Sequence, residues 1–185
     1  TALYLTSPDY LGNVADIRTL AVVCHRHDTL LLVDNAHGAY LRFLSPSHHP
    51  MDLGADMACC SAHKTLPVLT GGAYLHLSER LPRSLRERAK DALSLFGSTS
   101  PSYLILQSLD KVNELLANGL PERIRDAADS QSLFNGYFTE EAGHTLAGNE
   151  PLKITVKCKP SGYTGTELAE ILRKENVECE FCDPD

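Results

Sequence analysis

Lys64 stands in the string Ser61-Ala62-His63-Lys64-Thr65-Leu66-Pro67, directly after an apolar run, Ala55–Cys60, that reads as a short buried strand. An ammonium group at such a junction must be paired, turned to solvent or deprotonated, because burial penalises its charged form. A deprotonated lysine amine attacks carbonyl carbon. Thirty positions earlier Asp34 ends a second apolar run, Leu30-Leu31-Leu32-Val33, and is followed by Asn35-Ala36-His37-Gly38. A buried carboxylate needs a cationic partner, and a protonated heterocycle nitrogen serves as one.

An aldehyde for Lys64 and a ring nitrogen for Asp34 occur together on pyridoxal phosphate, whose phosphate group suits the Ser61 hydroxyl and the His63 imidazole. Each residue alone has a plainer reading. Asp34 can cap a turn, His37 can be a packed histidine, and Lys64 can lie at the surface. Only the set, gathered at the ends of neighbouring strands, favours the chemistry.

The elements that must position these residues follow from periodicity. Ala2–Thr6 reads as a strand buried on both faces. Pro8 and Gly12 punctuate the loop after it. Asp16 caps a helix with Ile17, Leu20, Ala21 and Cys24 on one face. Leu30–Asp34 is continuously apolar, as a central parallel strand requires. Strands at Ala55–Cys60 and Ala73–Leu77 follow, with the lysine loop between them. Helices are expected over 83–96, over 102–118, and from Pro121 through Phe134. Gly143–Glu150 reads as a linker. A strand at Leu152–Lys157, a helix opened by the capping box of Thr164 and Glu167, and a strand at Val177–Cys182 close the chain. The fold class is therefore α/β: a mostly parallel sheet flanked by helices, followed by the start of a smaller α+β domain. Residues 1–145 form part of the major domain with its connecting helices, and 146–185 begin the small one. In such sheets ligands gather at the carboxyl ends of strands, where both Asp34 and Ser61–Lys64 are expected.

Composition narrows the classes. The 185 residues are 43% hydrophobic and carry a net charge of -7 without a basic run, which argues against a nucleic-acid partner. No apolar run approaches a membrane span and no secretory leader pattern opens the sequence, so a cytoplasmic protein is expected. The six cysteines are scattered and read as buried free thiols of a reducing compartment. Cys179 and Cys182 have C-x-x-C spacing but lack the second pair that a structural zinc site needs, and alternation along a strand explains them as well.

Val33-Asp34-Asn35-Ala36-His37-Gly38-Ala39 and Ser61–Pro67 resemble the cofactor signatures of the Orn/Lys/Arg decarboxylases, pyridoxal-phosphate enzymes of the aspartate-aminotransferase fold. Thr6–Gly12 and Ser98-Thr99-Ser100-Pro101-Ser102-Tyr103 are similar to two further segments of that family. The resemblance covers roughly residues 1–135. It implies a Schiff base between Lys64 and the cofactor, Asp34 on the pyridinium nitrogen, Ala36 beneath the ring, and His37 beside cofactor and substrate. Ser61 and His63 would hold the phosphate, and Ser98 and Thr99 would approach the phosphate of a dimer mate. The implied reaction is decarboxylation of lysine, arginine or ornithine to a polyamine-type amine and carbon dioxide, by a homodimer or higher homo-oligomer. Asn35 stands where many relatives carry Glu. The family also places a Gly/Ser-rich phosphate loop and a ring-stacking aromatic upstream of position 1, so the chain reads as an internal piece of a longer enzyme.

Three alternatives stay open at this point. An aminotransferase or an α-oxoamine synthase of the same fold also uses the Asp-x-Ala-His pattern. A truncated chain can be catalytically inactive. A metal hydrolase built on Asp34, His37 and His63 is the third, although no H-x-x-x-H pair on a helix supports it.

Overall fold

The structure, a computed structural model, describes residues 1–138 and 145–184. It falls into two compact units, one of residues 1–10 and 14–126 and one of residues 11–13 and 127–185.

The first unit is built on a four-stranded sheet in the order β1 (Ala2–Thr6), β2 (Leu30–Asp34), β3 (Met57–Cys60), β4 (Tyr74–Leu77). The first three strands are parallel, with Thr6 opposite Asp34 and Asp34 opposite Cys59. β4 runs antiparallel to β3 and places Tyr74 opposite Cys60 and His76 opposite Ala58. The mostly parallel α/β sheet expected from the sequence is therefore present. Its parallel register brings the loops after β1, β2 and β3 to one edge, as crossover connections require.

Helix α1 (Ile17–Arg26) begins where expected: the Asp16 side chain accepts from the Thr19 amide at 3.0 Å. Its apolar face, Ile17, Ala21 and Cys24, packs with Leu31, Val33, Ala55 and Ala58 into one core cluster. A second cluster surrounds Tyr40, Leu41, Cys60, Ala62, Leu66, Val112 and Ile124. It draws on a 3-10 turn at Ala39–Phe43, on the short α2 (Ala62–Thr65), on α4 (Tyr103–Ala117) and on α5 (Leu120–Asn135). Helix α3 (Arg83–Phe96) contributes no buried residue. Both the 3-10 turn and α2 fall in stretches that the sequence suggests are loops. Each is too short for a 3.6-residue repeat to show.

Three burial expectations need correction. β1 is the edge strand of the sheet, and Leu3 and Tyr4 are 38% and 63% exposed. An edge strand has a neighbour on one side only, so apolar composition did not entail burial on both faces. β2 is central but alternates, with Leu31 and Val33 buried and Leu30 and Leu32 only partly so. Of the six cysteines, all free, only Cys24 and Cys60 are buried.

In the second unit a two-stranded antiparallel ribbon joins β5 (Thr145–Ala147) to β6 (Thr155–Lys157). Residues 143 and 144 of the expected linker lie outside the described residues, while its remainder includes β5. Gly12 belongs to this unit, its carbonyl accepting from the amides of Asn149 and Glu150 at 2.8 and 2.9 Å. Helix α6 (Gly165–Lys174) opens with the expected capping box: Thr164 Oγ1 accepts from the Glu167 amide, and Glu167 accepts from the Thr164 amide. The expected strand at Val177–Cys182 is absent. That segment folds back so that the Asp183 carbonyl accepts from the Thr166 amide at 3.0 Å, and Arg173 clasps Glu178 through two 2.8 Å bonds. Among the described residues no helix is long and apolar enough to cross a membrane.

Candidate active site

The parallel register sets the site. Asp34 is the last residue of β2 and pairs with Cys59, so Asp34 and the Ser61–Lys64 segment that follows β3 share the carboxyl edge of the sheet. Asp34 Oδ1 accepts from the Ala36 amide at 3.1 Å and lies 3.7 Å from the Cys59 thiol, while Oδ2 accepts from the Tyr4 hydroxyl at 3.3 Å. These contacts aim the carboxylate and leave it acceptor capacity for a further donor. Asp34 is only partly buried, not enclosed as the strand pattern suggests. Burial, followed by the Asp34 carboxylate, raises the Cys59 thiol above its ordinary range, so it stays protonated at neutral pH.

Lys64 sits on α2, capped by Ser61, whose side chain makes no capping hydrogen bond. Lys64 is exposed, so of the three outcomes open to an ammonium group at the strand–loop junction it is turned to solvent. The short helix lifts residue 64 off the end of β3 and turns its side chain outward. Its Nζ lies 3.1 Å from His37 Nε2. The Tyr10 and His37 rings meet edge to face, with centroids 5.8 Å apart and planes at 84°. Three loops or strand ends thus converge here: Tyr10 after β1, Asp34 to His37 after β2, and Ser61 to Lys64 after β3.

His63 is fixed to the turn that follows α2. Its Nδ1 lies 3.0 Å from the Gly72 carbonyl, and its amide donates to the same oxygen at 3.2 Å. With the Nδ1 proton on that carbonyl, Nε2 is an acceptor in the neutral ring and a donor in the protonated one. A side chain at Gly72 would place its Cβ 2.3 Å from Val68 Cγ1, so glycine keeps this turn closed. Gly38 has a similar part, because a Cβ there would meet Asn35 Oδ1 at 2.0 Å.

The site residues read from sequence thus divide. Lys64 and His37 touch, and Asp34, Ala36, Ser61 and His63 share their edge. Ser98 and Thr99 lie apart, in the exposed turn between α3 and α4, and among the described residues no hydrogen bond links them to the Lys64 group. Asp34, His37 and His63 do not form a cluster able to hold a metal ion among the described residues; the His49–Cys60–His76 group does. Tyr4, Tyr10 and Cys59 were not singled out from the sequence. The signal for them was positional, since β1 is parallel to β2 and residues that end or follow its neighbours must share its carboxyl edge.

The donor set fits pyridoxal phosphate on the chemistry of its parts: an aimed carboxylate, an amine against an imidazole, and a serine at a helix start. Known proteins resemble this chain along nearly its whole length. The family model described as Orn/Lys/Arg decarboxylase, major domain, matches residues 1–131. The chain is 34% identical to the uncharacterized protein YaaO of Bacillus subtilis over 98% of its own length and 39% of the relative's. It is 32% identical to an arginine decarboxylase of Bacillus cereus, over 98% of this chain and 42% of that one. It therefore spans about two fifths of the curated relatives it matches. A cysteine desulfurase from Thermococcus onnurineus superposes with a TM-score of 0.69 at 16% identity, over 96% of this chain and 48% of that structure, which shows the fold alone.

Proposed function

Because the chain belongs to the Orn/Lys/Arg decarboxylase family, we propose that it carries the lysine-bearing part of a pyridoxal-phosphate site that decarboxylates a basic amino acid. The observation that carries the proposal is the meeting of Lys64 Nζ and His37 Nε2 at 3.1 Å on the sheet edge that also bears Asp34. Lys64 would hold the aldehyde of the cofactor through its amine. Asp34 would keep a proton on the ring nitrogen, Ala36 and His37 would support the ring, and Ser61 and His63 would take the phosphate. When bound, pyridoxal phosphate supplies an electron sink for the bond electrons left as the substrate carboxylate departs as carbon dioxide. His37, beside Nζ, is placed to pass a proton between Lys64 and the substrate carbon.

On this reading residues 1–145 belong to the cofactor-binding part and 146–185 begin a smaller domain. Ser98 and Thr99 serve a second copy of the chain in a homodimer. The exposed Leu95, Phe96, Tyr103 and Leu104 around them support this, since a large apolar patch on a surface marks an interaction site. The names of several relatives make arginine the first substrate to assay, with lysine and ornithine beside it.

The test is to add pyridoxal phosphate, reduce with borohydride and map the modified residue by mass spectrometry. The cofactor mass on Lys64, absent in Lys64→Ala, supports the site. Labelling spread over surface lysines, or none at all, would sink it and leave the chain as a folded unit without cofactor chemistry.

A further inference from the structure

Adjacent residues on β3 face opposite ways. Cys59 is exposed and reaches toward Asp34, whereas Cys60 is 1% exposed and points into the second core cluster. Around the Cys60 sulfur the chain gathers nitrogen. His49, 3% exposed, brings Nε2 to within 3.3 Å of Sγ, and Asn35 Nδ2 donates to the same sulfur at 3.1 Å. His76 joins through the sheet: it pairs with Ala58, two residues before Cys60 and therefore on the same face of β3. The His49 and His76 rings meet edge to face, with centroids 5.2 Å apart. One ligand atom each from His49, Cys60 and His76 lies within 4.8 Å of the others.

We propose that His49, Cys60 and His76 form a three-ligand site for a thiophilic divalent ion, Zn²⁺ above all. Two imidazoles and a thiolate are a donor set that borderline-soft metals select over hard cations. Bond lengths of about 2.0–2.1 Å to nitrogen and about 2.3 Å to sulfur put tetrahedral ligands roughly 3.3–3.6 Å apart. The His49–Cys60 separation already falls there, and the widest pair closes by about 1 Å through ring rotation. Two side chains of the cluster, His49 and His76, also line a cavity of about 510 Å³ together with Arg42, Asp52, Met51 and Tyr74. The fourth coordination position opens into that cavity, so water or a small ligand can take it. Arg42 would repel an incoming cation, but it is ion-paired with Asp52.

The protonation states suit loading. Burial, followed by His76 and Arg42, lowers His49 to about 4, and burial, followed by Arg42, lowers His76. Both rings therefore offer lone pairs at neutral pH. Burial pushes the Cys60 thiol up to about 11, so the ion must displace its proton. The S–H bond breaks, an S–Zn bond forms, the proton leaves to solvent, and no electron changes hands. The Met51 amide donates to His49 Nδ1 at 3.3 Å, which leaves the ring proton on Nε2 facing sulfur. On loading, that proton moves to Nδ1 and the Met51 contact is given up, while Asn35 continues to hold the sulfur.

Titrating the chelator-treated chain with Co²⁺, then displacing it with Zn²⁺, tests the site. About one equivalent of Co²⁺ is expected to produce thiolate-to-cobalt charge-transfer absorption, as a coordinating thiol is deprotonated by its metal. C60S removes that absorption and weakens Zn²⁺ binding by more than about 100-fold, beyond the loss typical of an outer contact. The partly buried His76 makes H76Q the gentler variant; it keeps the absorption and binds Zn²⁺ about tenfold or more weakly. K64A changes neither reading. No charge-transfer absorption at stoichiometric Co²⁺, absorption that survives C60S, or unchanged Zn²⁺ affinity in folded H76Q overturns the proposal.

Discussion

Two aspartates mark opposite ends of the same sheet. Asp56 stands just before β3 at the amino edge and is fully buried. Its Oδ2 accepts from the Leu31 amide at 2.8 Å and meets His25 Nε2 at 2.9 Å, while Oδ1 faces Arg80 Nε at an ion-pair distance of 3.5 Å. It ties α1, β2 and the approach to α3 together. Asp34, at the carboxyl edge, is half open, with one amide, one phenol and a distant thiol as its donors. The same side chain is consumed by the fold at one end and aimed outward with spare capacity at the other. What separates them is backbone direction: parallel strands send their loops, and hence their exposed polar ends, to the carboxyl edge.

The contrast can be broken most sharply at Lys64. If Lys64 holds the cofactor as proposed, Lys64→Ala should cost about 10³-fold or more in decarboxylase activity of the assembled enzyme, measured by carbon dioxide release. The same change should move folding stability by no more than about 0.5 kcal/mol, since the side chain is exposed. A large fall in its melting temperature would show that the carboxyl edge is structural after all.

Asp56→Ala should do the reverse. It leaves the buried Leu31 amide and His25 without their acceptor and should destabilise the chain by about 3 kcal/mol in urea unfolding, some hundredfold in the folding equilibrium. A loss below about 1 kcal/mol would remove the distinction between the two edges.

His49 supplies a pH test of the interior. Its folded value is lowered from 6.5 to about 4, so the unfolded chain binds its proton first. Stability from this group is present in full above pH 6.5 and is lost as pH falls toward 4, by about 3 kcal/mol in all. Urea titrations across that window should show the slope, and H49Q should flatten it; equal slopes in both chains would refute the assignment.

The smallest effect is expected at Tyr4. Tyr4→Phe removes one 3.3 Å bond to Asp34 on an exposed edge strand and should lower cofactor affinity a few-fold. A hundredfold loss would make Tyr4 a principal ligand instead of a support.

Much of this was legible in the sequence because it rests on local rules. Asp16 and Thr164 are caps whose side chains reach only three residues, and α3 begins and ends at the expected residues. The Asp34–Lys64 association was legible because two apolar runs ending in polar residues imply parallel strands with a common edge. Exposure was not, because it depends on which neighbours a strand has; hence β1 and Asp34 are more open than the apolar runs suggest. Val177–Cys182 has an alternating pattern, yet a strand needs a ladder partner, and its backbone turns instead to the start of α6. The His49–Cys60–His76 group was hidden for a related reason. Only the antiparallel register of β3 with β4 sets His76 beside Cys60, and no short-range spacing encodes it.

The alternation of Cys59 and Cys60 along β3 equips the molecule with its own reporter. A thiol that touches Asp34 must be shielded by whatever ring settles on that carboxylate, so its rate of alkylation is a clock for occupancy of the carboxyl edge. One residue on, a sulfur turned into the core is deaf to that event and serves as the internal standard.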